Sequence, residues 1–172
     1  MGSRPRAEQF EEHEVDWILT DSERKRMAKA YSKAMRSAEE RFAPLIVAMQ
    51  ARGWDRRDLQ VWQTGGMVMC LAVVLARTVG DGLAELVSRL GESDDGLAIA
   101  WVLVGDPRDD HEIGGCLDVD EDKMQGTVEN FASGICVKGD GFTANEAIEV
   151  AEWLDAKCRG LRASLRGRGR SA

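Results

Sequence analysis

The chain has 172 residues, 44% of them hydrophobic and 31% charged, with a formal net charge of −7. That excludes a low-complexity or fibrous chain and provides for one domain with a real core. Its four cysteines form no CxxC pair, which excludes a zinc ribbon and a thioredoxin-type motif, and so large a chain does not need a disulfide framework.

The N-terminal stretch MGSRPRAEQFEEHE has no apolar signal core, and Arg6 does not fit a myristoylation signal. Residues 1–20 are expected to form an arm or short amphipathic helix, acidic, with Phe10, Trp17 and Ile18 as its apolar members. At TDSE, Thr20 and Glu23 have capping-box spacing and predict a helix start. Met27, Tyr31, Ala34, Ala38, Phe42, Leu45 and Met49 then recur at steps of three and four, tracing one helical face that Gly53 can close. Pro44 lies inside this helix and is expected to kink or split it.

Asp55 is a plausible N-cap for a second helix carrying Leu59, Trp62, Met69, Val73 and Ala76. Its apolar run Met67–Ala76 falls short of the roughly 20 residues a bilayer requires, and is placed at the centre of the domain. A short helix is expected over Leu83–Leu90. The run Leu97–Val104 reads as helix or strand; Ser93, Gly105 and Pro107 supply matched caps that favour helix. Met124, Val128, Phe131 and Ile135 give a further helical face, and TANE, from Thr143 to Glu146, opens a last helix through about Arg166.

The expected fold is therefore all-α: a compact single-domain bundle of six to seven helices around a central apolar helix, over residues 21–166, with a disordered Arg/Gly tail at 167–172. The alternative is α+β, with a small sheet from 97–104 and 113–119.

Charge is segregated. Residues 92–122 hold eleven acids and one base, whereas 21–57 hold ten bases and five acids, and 157–170 hold six bases and no acid. Lys25, Lys29, Lys33 and Arg36 form a cationic stripe opposite the apolar face of the first helix. Together with Arg159, Arg162, Arg166, Arg168 and Arg170 they are the candidate partner-binding or nucleic-acid-binding residues. The candidate acidic interaction surface is Asp106, Asp109, Asp110, Glu112, Asp118, Asp120 and Asp122.

The window DVDEDKMQGTVE, Asp118–Glu129, has carboxylates at the first, third, fifth and twelfth places of an EF-hand loop, but Lys123 stands where the loop requires glycine. It reads as an acidic segment entering a helix. DDHE and Cys116 offer one histidine and no defined ligand spacing. No GxxxxGK[ST], GxSxG, HExxH or GxGxxG is present. No metal, cofactor or catalytic group is expected. The function expected is that of a non-enzymatic, cytoplasmic protein-binding adaptor, regulator or assembly subunit, acting on a protein partner or on itself. The alternative is a nucleic-acid-associated subunit of a nucleoprotein complex. No membrane partner is expected.

Overall fold

A computed structural model describes residues 20–63, 68–77, 98–109, 111–119 and 129–169; the side chains of residues 166–169 are outside that description. The expected arm and its Trp17, the expected helix Leu83–Leu90, and most of Asp118–Glu129 lie outside the described residues.

The fold is α+β, which overturns the helical bundle. A long helix α1 (Asp21–Ala51) is followed by one 3₁₀ turn (Arg56–Asp58), five strands and a C-terminal helix α2 (Ala144–Gly169). The strands are β1 (Leu59–Gln63), β2 (Met69–Arg77), β3 (Ala98–Gly105), β4 (Glu112–Val119) and β5 (Glu129–Cys136). They form one antiparallel sheet in the order of the chain. The segments 97–104 and 113–119 coincide with β3 and β4, the inner part of a larger sheet.

Both helices cover the same face of this sheet. Phe42, Leu45 and Met49 of α1 and Val150, Ala151, Leu154 and Leu161 of α2 share one core with Leu71, Val73, Leu75, Val102, Val104, Leu117 and Val119. The strand residues alternate, as a pleated sheet with one covered face requires. At the far edge α2 is tied to β5: Lys157 donates to Glu129 at 2.7 Å and stands over the Phe131 ring, which in turn meets Trp153 at 5.7 Å between centroids.

The predicted central helix is β1 and β2. Asp55 caps only the 3₁₀ turn, its carboxylate accepting from the Arg57 amide at 3.0 Å. Every residue from Met69 to Ala76 is buried, so β2 shows none of the alternation that marks a half-buried strand. Its outward positions are the small Cys70, Ala72 and Val74. Trp62 on β1 and Trp101 on β3 flank β2, yet their ring centroids are 5.2 Å apart. The two indoles therefore meet across β2, and small side chains leave the room for them. Neither tryptophan belongs to the helix-covered core, and Trp62 is 41% exposed.

Both capping boxes form. Thr20 accepts from the Glu23 amide at 3.3 Å while Glu23 accepts from the Thr20 amide at 2.8 Å. Thr143 and Glu146 repeat the pattern at 3.3 and 2.8 Å. Pro44 does not split α1, which runs unbroken for 31 residues and ends before Gly53, at φ +92°. No helix among the described residues is long and apolar enough to cross a membrane.

Candidate interaction surface

Helix α1 spans about 46 Å, from 31 residues at about 1.5 Å each. Its two halves differ sharply. Ala38, Arg41, Phe42, Leu45, Ile46 and Met49 are buried, but from Asp21 to Ser37 no residue is. The first half, about 25 Å long, projects from the sheet. Its stretch 21–37 carries six bases (Arg24, Lys25, Arg26, Lys29, Lys33, Arg36) against two acids (Asp21, Glu23). Lys25, Lys29, Lys33 and Arg36 are all exposed and share one face. No ion pair among the described residues engages them.

The projecting half is anchored at its root by a buried carboxylate. Asp106, 1% exposed, stands at the end of β3 and accepts from two guanidinium groups. Arg41 of α1 grips it through Nε at 3.0 Å and through Nη2. Arg108 adds its Nη2 at 3.0 Å and its backbone amide at 3.1 Å. Arg41 also donates to Ser37 Oγ at 2.7 Å, one turn nearer the free half. Burial pushes the Asp106 carboxyl up, but the Arg41 hydrogen bonds, those from Arg108 and the Arg41 charge outweigh it and hold the group below its ordinary value. Beside the clamp lies an open cleft of about 490 Å³, lined by Ser37, Glu40, Arg41, Arg108, Asp140 and Phe142 among others. Its charged lining mixes both signs.

The other candidate cations are engaged within the fold. Arg159 donates to Asp155 at 2.7 Å and to the Arg52 carbonyl at 3.0 Å. Arg162 donates to the Leu75 carbonyl at 2.7 Å. Their guanidinium carbons lie 5.7 and 5.6 Å from the Trp54 ring, whose Nε1 donates to Asp155 at 2.8 Å. This arrangement staples α2 to the end of α1. Arg166 and Arg168 lie on the last turns of α2 with side chains outside the described residues; Arg170 lies outside them altogether.

The described acidic candidates differ in their surroundings. Asp106 is buried in the clamp, and Asp109 is exposed on the following turn. Glu112 accepts from the Gly134 amide at 2.7 Å, and Asp118 from the Val119 amide at 2.9 Å. Asp110, Asp120 and Asp122 lie outside the described residues. The Arg41–Asp106 bond, 65 positions apart in sequence, is the feature that sequence reasoning missed, and no local spacing signals it.

No group of three metal-ligating side chains occurs among the described residues. Burial raises the thiols of Cys70, to about 11, and Cys158, to about 12; it raises Cys116 as well. Such thiols stay protonated at neutral pH and are poor nucleophiles. No protein-family model, no curated protein and no solved structure matches the chain.

Proposed function

We propose that this chain is a non-enzymatic cytoplasmic binding subunit whose projecting helix presents Lys25, Lys29, Lys33 and Arg36 to an acidic protein partner. One observation carries the reading. Among the candidate cations whose side chains are described, these four are left outside the fold's own hydrogen bonds and ion pairs, on a helix held out by a buried clamp. Exposed like charges on a fixed scaffold accelerate and orient encounter with an oppositely charged surface.

The test is affinity capture from the native cell with two baits, the wild type and the Lys25→Glu/Lys29→Glu/Lys33→Glu variant. An acidic protein enriched by the first bait and lost from the second is the expected result. A captured set unchanged by the variant and by physiological salt overturns it.

The same four cations support a second reading, contact with a phosphate backbone. Titration of generic duplex DNA and of RNA over a salt series separates the two. Four phosphate contacts on duplex DNA would give a log–log salt slope of roughly −3.5, whereas the acidic-partner reading expects no binding.

A further inference from the structure

The projecting half of α1 has a second face. Met27 is 53% exposed and Tyr31 48% exposed. At 3.6 residues per turn, Met27 and Met35 lie about 40° to either side of Tyr31, with Ala28 and Ala34 at about 60°. Ala38, Phe42, Leu45 and Met49 fall on the same face and are buried. The stripe that packs α1 on the sheet therefore continues past the edge of the body. Uncovered apolar surface at that point marks an interaction site.

The sequence of the stripe indicates what covers it. Met27–Met35 reads MAKAYSKAM. Read backwards it is MAKSYAKAM, identical except where Ala30 and Ser32 exchange places. The palindrome centres on Tyr31. In an antiparallel pair of such helices, related by a two-fold axis at Tyr31, each residue faces the one equally far on the other side. Met27 then faces the second copy's Met35, and Ala28 its Ala34. Long and small side chains alternate along both helices in the same register. A two-fold contact requires this self-complementarity, because one patch must serve both partners.

Charge agrees with the pairing. Lys25, Lys29, Lys33 and Arg36 lie about 120–160° round the helix from Tyr31. They point away from the pairing face and do not repel one another across it. Only Arg24 lies within it, and the pairing brings it level with the second copy's Ala38, one residue from Glu39.

We propose that the chain forms a two-fold dimer through antiparallel contact of the projecting halves of α1, centred on Tyr31. Fewer than five turns of helix give a contact at the low end of specific interface sizes, so the dimer dissociates on dilution. It leaves both basic faces outward, one on each side. The inference does not require the acidic partner, since it uses the opposite face of the helix.

Sedimentation velocity of the full chain over a roughly hundred-fold dilution tests it. The wild type should pass from dimer to monomer mass. Tyr31→Glu places two carboxylates together at the axis and should weaken dimerisation at least roughly ten-fold, with an unchanged far-ultraviolet circular dichroism spectrum, since Tyr31 is exposed and is not part of the buried core. Lys25→Glu/Lys29→Glu/Lys33→Glu should leave the dimer mass intact, so loss of the acidic partner and loss of the dimer are read separately. In a Cys136→Ser background, mild oxidation should cross-link Tyr31→Cys between chains and spare Lys33→Cys on the far face. A monomer at every concentration, a dimer indifferent to Tyr31→Glu, or equal cross-linking at positions 31 and 33 would each overturn the proposal.

Discussion

The two halves of α1 follow the same apolar spacing, yet one is buried and the other is not. Phe42, Leu45 and Met49 are fully covered by the sheet and α2, whereas Met27 and Tyr31 at equivalent positions stand about half exposed. Periodicity thus states which face of a helix is apolar, but not what lies against it. A helix with an uncovered stripe draws little stability from packing and depends on its cap and its anchored neighbour turns. Here the cap is the Thr20–Glu23 box and the anchor is Arg41 on Asp106.

The comparison is broken most strongly by truncating one side chain in each half. Phe42 is 0% exposed, and its ring centroid lies 6.2 Å from that of Phe142. Phe42→Ala should cost about 3–5 kcal/mol in chemical unfolding. Met27→Ala in dilute, monomeric protein should lie within about 0.5 kcal/mol of the wild type. Similar losses at both sites would mean that the first half is packed as tightly as the second.

Asp106→Asn comes next. It leaves the Arg41 guanidinium, 9% exposed, without its anion, and removing one partner from a buried pair costs about 3–5 kcal/mol. The folded-state pKa of Asp106 is depressed by its arginine partners. Its stabilisation is therefore complete above the ordinary value of 3.8 and is lost as pH falls through the lower folded value. The gap between wild type and Asp106→Asn should be widest at neutral pH and narrow only under strongly acid conditions. A gap independent of pH would show that the carboxylate charge is not what holds the clamp.

How much of this was legible in the sequence follows from the same physics. Both capping boxes and the closing role of Gly53 were readable, because caps are local. The sheet was not, for two reasons. In β2 the outward Cys70, Ala72 and Val74 lie between two tryptophans on flanking strands, so the strand is apolar throughout and resembles a buried helix. In β5, Phe131 and Ile135 are four apart, and an even step of four returns to the same face in a strand as it does in a helix. The projecting cationic stripe was legible as a pattern, since only its own helix forms it. The hold of Arg41 on Asp106 was not, nor were the bonds of Arg159 to the Arg52 carbonyl and of Arg162 to the Leu75 carbonyl, because those partners come from distant segments. Segregated charge in a sequence is therefore an upper bound on segregated charge at the surface.

Gly115 tests the packing of Phe131, its neighbour on β5, beneath α2. A Cβ there would lie 2.7 Å from Cε2 of Phe131 and 3.0 Å from the Leu103 carbonyl oxygen. The ring occupies the space a side chain would need, and the backbone of β3 cannot retreat without disturbing the ladder. Gly115→Ala should cost about 1–3 kcal/mol, as overpacking does. A thermal midpoint equal to the wild type would show that Phe131 swings aside freely, and that its contact with Trp153 does not position α2.

The smallest effect has the sharpest meaning. Lys25, Lys29 and Lys33 succeed one another at four-residue steps on an exposed helix. Like charges at that spacing oppose helix formation, and alternating charges favour it. Lys29→Glu converts two repulsions into two attractions. It should slow amide exchange across residues 21–37 by roughly two- to three-fold, leaving the second half of α1 unaffected. The same change should weaken binding of the acidic partner, because it removes the middle of the cationic face. Stability and binding would then move in opposite directions at one position. That opposition is expected of a surface kept basic for recognition and is not expected of one kept basic for solubility. Exchange that is unchanged or faster in Lys29→Glu would mean that the lysines are already relieved by contacts of their own, and the projecting half would lose its claim as a free binding face.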